Sequence, residues 1–170
     1  MSTVIMYHFT DNKNFILNNT IVNQEFRNFT YKPSGLWVTD MGEPYNWFNW
    51  CLQENFSIDK LKYQYKIEID ITKIKIVDTL DKFERFHNYY YDCVVNGVSW
   101  DTLAEYYKGI IISPYRNDRS SIENYNFYKD WYYGWDVASG CIWDTSCIAN
   151  IELSKSYKYS ELKKLVNWED

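Results

Sequence analysis

Histidine is nearly absent from this chain: His8 and His87 are the two copies among 170 residues. A histidine-based zinc site has little to draw on, and the four cysteines (Cys51, Cys93, Cys141, Cys147) form no CxxC pair to complete one. Their scatter reads as reduced, mostly buried thiols. Proline and glycine are scarce too, with three and six copies. No Pro/Gly/Ser-rich linker divides the chain, so residues 1–170 read as one domain, long enough to bury a core. Neither GxxxxGK[ST] nor GxGxxG occurs, which excludes the glycine-rich phosphate loops. No apolar run approaches the roughly 20 residues of a spanning helix, and no basic segment leads into an apolar signal region. The expectation is a cytoplasmic protein with no membrane partner. Positive charge is also in deficit: a net charge of −5 and a pI near 5.1 exclude a protein that coats nucleic acid by neutralising phosphates, but not one that touches it locally.

What the chain has in excess is aromatic surface, 20% of residues, including 8 Trp and 17 Tyr. A core of this size does not need so many rings. Some are expected to stack on planar ligand groups or to cover a partner, since Trp and Tyr join apolar area to a polar handle. The abundance of Asn, Lys, Ile and Tyr also matches drift in an AT-rich genome.

Patterning gives a mixed α+β domain with split sheets. Val4 to Phe9 reads as a first strand, and Asn12 to Asn19 as a helix with an Asp11-Asn12 cap. A polar loop to Pro33-Ser34-Gly35 precedes a strand at Leu36 to Asp40. Gly42-Glu43-Pro44 then turns the chain into an aromatic helix, Tyr45 to Glu54, with Pro44 at its first position. Tyr63 to Asp70 and Lys73 to Asp78 alternate as half-buried strands do. Leu80 to Val95 and Ser99 to Tyr107 read as helices, the second capped by Ser99. Gly109 to Pro114 is a buried strand stopped by proline. A charged loop, Arg116 to Ser121, an aromatic helix or lid, Ile122 to Tyr133, and closing strands at Gly140 to Asp144 and Ile148 to Leu153 follow.

The chemistry gathers at His8. It closes an opening apolar strand, with Thr10 two residues on and Phe15-Ile16-Leu17 soon after, as a small-molecule pocket would require; the plain alternative is a buried histidine bonded to backbone. Cys141 and His8 make a weak nucleophile and base, because no glycine-rich oxyanion loop or third orienting group accompanies them. Tyr89-Tyr90-Tyr91 reads as a mixture of core and surface. Arg116 and Arg119 suit a phosphate or an acidic partner, though a solvated loop is the simpler reading.

Three blocks carry a family resemblance. Tyr7-His8-Phe9-Thr10, with Asn14-Phe15-Ile16-Leu17-Asn18-Asn19 and Ile21, resembles the opening of ADP-ribosyltransferases of the diphtheria-toxin-like, His-Tyr-acid type. It departs from that opening in having Asn19 where the helix usually ends in glycine, and one residue fewer before the Ile-Leu pair. Gly35-Leu36-Trp37-Val38-Thr39-Asp40 followed by Tyr45 is similar to the second family block, and Trp100 through Tyr107-Lys108-Gly109-Ile110-Ile111 to the third.

The resemblance implies an ADP-ribosyltransferase-like α+β domain of two small packed β-sheets with flanking helices, NAD as co-substrate, transfer of ADP-ribose to a macromolecular acceptor (protein or nucleic acid), and the setting of a toxin, effector or viral conflict protein. It implies that His8 holds the adenosine ribose, that Tyr45 stacks on the nicotinamide, and that a late carboxylate supports the cation developing at C1′. Trp47 and Trp50 compete for the stacking role, although Trp47 faces elsewhere if Tyr45 points inward. Phe9, Thr10, Trp37, Thr39, Tyr45, Trp50 and Ser139 complete the implied NAD contacts. No glutamate opens the late strand, so the acid falls to Asp136 or Asp144. Asp136 precedes the small-residue turn Ala138-Ser139-Gly140, which lets backbone approach a ligand; Asp144, before Thr145-Ser146, reads equally well as a turn cap. The alternative function is a catalytically inactive, aromatic-rich module that holds a protein partner.

Overall fold

The computed structural model describes residues 2–24, 32–123, 125 and 130–166. In chain order these form β1 (Thr3–Thr10), β2 (Leu36–Thr39), α1 (Trp47–Gln53), β3 (Tyr63–Asp70), β4 (Ile74–Val77), α2 (Leu80–Tyr90), β5 (Tyr91–Asp92), β6 (Gly97–Val98), α3 (Trp100–Ala104), β7 (Gly109–Ile112), β8 (Ser139–Ile142), β9 (Ile148–Ser156) and α4 (Tyr159–Val166). The polar loop expected before Pro33 and the helix or lid expected over 122–133 lie partly outside the described residues.

The period-two strands form where the pattern places them. Tyr65, Ile67 and Ile69 of β3 turn inward and their neighbours stay partly exposed, while all four residues of β7 are buried, as a continuous apolar run requires. Seven strands make one mixed sheet in the order β4-β7-β8-β2-β1-β3-β9, and β5-β6 is a separate ribbon. Among the described strands of the large sheet, β4 and β7 are the pair that runs parallel.

This sheet does not lie flat. Five strand spacings separate β4 from β3, about 24 Å in a flat sheet. The turn Ile71–Lys73 that joins them reaches no more than about 15 Å. The sheet therefore folds over, and its weakest ladder marks the fold line: β1 and β2 are joined through the single pair Tyr7–Thr39. Packing agrees, because Met6, Ile67 and Ile69 are fully buried in a cluster to which none of the described α-helices contributes. They are covered by Val38, Ile74, Ile111 and Ile142 from the other half of the same sheet. The two separate sheets expected from sequence are thus two halves of one sheet, held by that seam, in an α+β domain.

Helices cover the outer faces. α2 places Phe83, Phe86 and Tyr90 on one stripe, packed with Trp100, Leu103, Trp131, Tyr132 and Trp135 against Ile110 and Ile112. α1 and α4 close the far side around Phe9, Phe48, Cys51 and Leu162; α4 begins where the Glu161 carboxylate accepts from the Lys158 backbone N–H at 3.0 Å.

Local hydrogen bonds explain where elements depart from pattern. Asn12 to Asn19 is not a helix. The Thr10 hydroxyl accepts from the Asn12 N–H at 3.1 Å and the Asn12 side-chain Oδ1 from the Asn14 N–H at 2.9 Å, satisfying the backbone in a turn instead. The Tyr65 hydroxyl donates to the Lys13 carbonyl. The aromatic helix begins at Trp47, not Tyr45, because Asn46 caps it by accepting from the Asn49 N–H at 2.9 Å. Leu80 to Val95 stops at Tyr90, where Asp92 accepts from the Val94 N–H at 2.7 Å and Asn96 takes φ 56° to turn β5 into β6. Arg116 and Arg119 are buried, not solvated. Arg119 donates to Asp130 at 2.9 Å and lies over the Tyr132 ring at 5.1 Å.

Candidate functional site

Beyond the Tyr7–Thr39 pair β1 and β2 diverge, so His8 and Phe9 have no ladder partner on the β2 side. A cavity of about 350 Å³ fills the opening, lined by β1 (Tyr7, His8, Phe9), β2 (Trp37, Val38, Thr39), Trp47 of α1, Lys32, and the segment 135–139. Gly35 sets the angle at which β2 arrives. Its φ is +156°, and a Cβ there would lie 2.4 Å from the Ile142 carbonyl oxygen, so only glycine brings Trp37 to the wall without displacing β8.

His8 bridges the divergence: its Nδ1 lies 2.9 Å from the Trp37 carbonyl oxygen. A carbonyl only accepts, so Nδ1 carries the proton. Burial lowers the His8 pKa, partly opposed by that bond. The ring is then neutral near pH 7, with Nε2 as a bare acceptor. Phe15 covers the ring at 4.8 Å between centroids.

Trp47 stacks on Trp50 at 5.1 Å and 16°, and Trp37 meets Trp135 edge-on at 4.9 Å. The Thr39 hydroxyl donates to the Ala138 carbonyl at 2.9 Å and accepts from the Trp47 N–H at 2.9 Å, tying β2, α1 and the 135–139 segment together. The Ser139 hydroxyl donates to the Val137 carbonyl at 3.0 Å. Asp136 is exposed and is the one carboxylate among the described residues of the lining.

Of the residues singled out from sequence, His8, Phe9, Trp37, Thr39, Asp136 and Ser139 meet at this cavity. Tyr45 does not. It precedes the cap, its carbonyl accepts from the Ala138 N–H at 2.7 Å, and its exposed ring points to Tyr115 at 6.1 Å, so Trp47 takes the inward position. Trp50 stands behind Trp47, and Thr10 is occupied in the turn after β1. Asp144 is the turn cap: it accepts from the Ser146 N–H at 3.0 Å and pairs with Lys108 at 3.2 Å. Burial alone would raise its pKa, but the bonds from Ser146 and Lys108 bring it below the usual value. Cys141 is fully buried and does not line the cavity, and burial pushes its thiol pKa up, which opposes a nucleophilic role. Sequence reasoning missed Tyr7, Lys32, Val38, Trp135 and Val137; the Pro33-Ser34-Gly35 turn beside Lys32 was the available signal.

Among the described residues, no cluster of three His, Cys, Asp or Glu side chains is placed to hold a metal ion, and no helix is long and apolar enough to cross a membrane. The class defined by fold and site is an α+β domain whose folded sheet opens at its seam into an aromatic, histidine-bearing cavity. Compared with known proteins, the chain matches no family model, no curated protein and no solved structure.

Both histidines disfavour acid. The Trp131 indole N–H donates to His87 Nδ1 at 3.0 Å, which needs that nitrogen unprotonated, and burial lowers the His87 pKa against the opposing Asp130 charge. Folded pKa values below the unfolded value near 6.5 mean that the unfolded chain takes up protons first. The histidine contribution to stability is complete above about pH 6.5 and is lost as pH falls through the folded values. The melting temperature is expected to drop between about pH 7.5 and 5.5, less so in His87→Gln; a melting temperature that rises over this range contradicts the assignment.

Proposed function

We propose that this chain is a mono-ADP-ribosyltransferase that binds NAD in the seam cavity and transfers ADP-ribose to a protein or nucleic-acid acceptor. The observation that carries the reading is the convergence, at one opening in the sheet, of a neutral histidine acceptor, aromatic walls and a single carboxylate. In this reading His8 Nε2 accepts a ribose hydroxyl, Trp47 supplies the stacking face first assigned to Tyr45, and Asp136 faces the positive charge that develops at C1′. The C1′–N bond breaks with its electron pair passing to nicotinamide. The acceptor's lone pair forms the new bond at C1′, and its proton leaves to solvent.

A binding-only reading draws support from the Thr39 and Ser139 hydroxyls, both committed to backbone carbonyls, and from the outward ring of Tyr45. Titration with NAD followed by Trp fluorescence, with nicotinamide release measured in parallel, separates the readings. Saturable quenching with release supports the transferase, saturable quenching alone an inactive nucleotide binder, and no response at about millimolar NAD a module for a protein partner. Trp47→Ala is expected to weaken NAD binding about tenfold or more, and Tyr45→Ala to change it little. The reverse order would return the stacking role to Tyr45.

A further inference from the structure

We infer that Lys32 is the phosphate anchor of the seam cavity, so that the site selects a pyrophosphate-bearing dinucleotide over the corresponding nucleoside; this rests on the NAD-binding reading above. Among the described residues lining the cavity, Lys32 is the one Lys or Arg. Its ammonium lies 5.4 Å from the centre of the Trp37 ring. No carboxylate among the described residues pairs with it, so the ring steadies the charge without neutralising it. The side chain is exposed and therefore stands where the cavity opens to solvent. Gly134 makes room for its stem: a Cβ at 134 would lie 3.1 Å from Lys32 Cε.

Size and charge point the same way. A cavity of about 350 Å³ is near the lower end for ligand pockets, enough for a planar ring and its ribose between aromatic walls. The next group of a dinucleotide, its pyrophosphate, must then leave through the mouth. The protein carries a net charge of −5, which opposes the approach of an anion unless a local cation offsets it. An ammonium with three donors and, among the described residues, no carboxylate partner supplies that offset.

Lys32→Gln tests the assignment by titration of Trp fluorescence with NAD and, separately, with nicotinamide riboside, which has the ring and ribose but no pyrophosphate. The variant is expected to bind NAD about tenfold more weakly and nicotinamide riboside within about twofold of the unchanged protein. Lys32→Arg should keep most of the NAD affinity, and added salt should weaken NAD binding to the unchanged protein more than to Lys32→Gln. Equal loss for both ligands would reduce Lys32 to a prop for the Trp37 wall, and unchanged NAD affinity would remove it from the site; either overturns the assignment alone. If the unchanged protein binds neither ligand, the NAD reading falls and this assignment with it.

Discussion

Asp136→Asn is expected to lower nicotinamide release from NAD about a hundredfold or more while leaving NAD affinity within about twofold. Carboxylate and amide have nearly the same shape, so the substitution removes charge and little else. The charge matters mainly when C1′ becomes cationic, and its loss therefore appears in turnover and not in binding. Asp136 makes the cleaner test because it is exposed and holds no described neighbour in place, so the variant should fold. Asp144→Asn is the control: its carboxylate caps the turn at Thr145–Cys147 and pairs with Lys108, and its loss should cost stability without a selective effect on turnover. Full activity in Asp136→Asn would remove the carboxylate from the proposed chemistry.

The largest effect on stability is expected from Asp130→Ala, about 3 kcal/mol or more, or about 6–12 °C in melting temperature for a chain of this size. The Asp130 side chain is only 1% exposed. It accepts from Arg119 Nε at 2.9 Å, from the Tyr132 N–H at 2.9 Å and from the Tyr125 hydroxyl. Removing it leaves the buried Arg119 guanidinium without its carboxylate and the Trp131–Gly134 turn without its cap. That turn delivers Trp131, Tyr132 and Trp135 to the aromatic core and carries the chain on to Asp136, so ligand binding should weaken in parallel. Arg119→Met combined with Asp130→Leu should recover part of the loss, because an apolar pair leaves no buried charge uncompensated. A melting temperature within about 2 °C of the unchanged protein in Asp130→Ala would show that the pair carries no stability.

What the sequence determined by itself is what short-range pattern encodes. Alternation at Tyr63 to Asp70, the apolar run at Gly109 to Ile112 and the 3.6-residue stripe of Phe83, Phe86 and Tyr90 each declare an element and its buried face, since side-chain direction follows from the backbone period alone. Six of the cavity residues, His8, Phe9, Trp37, Thr39, Asp136 and Ser139, were legible from sequence. They sit at strand ends or a small-residue turn, where chemistry and close backbone approach are expected.

Tertiary structure alone decided which of the competing groups enter the site. Tyr45 and Trp47 differ by two positions, so a helix start set by the Asn46 cap exchanges one ring for the other. Asp136 and Asp144 are both plausible acids until the pairing of Ile21 with Asp144 and the Lys108 ion pair draw Asp144 into a turn. Segment 12–19 carries a helical pattern, yet the Thr10, Asn12 and Tyr65 side chains offer its backbone nearer partners. Arg119 reads as a loop cation until Asp130 meets it in the core. Above all, no local period records that β3 and β4, joined by a three-residue turn, lie at far positions of one sheet. That arrangement forces the sheet to fold at the single Tyr7–Thr39 pair, and the opening beside that pair is where the cavity forms.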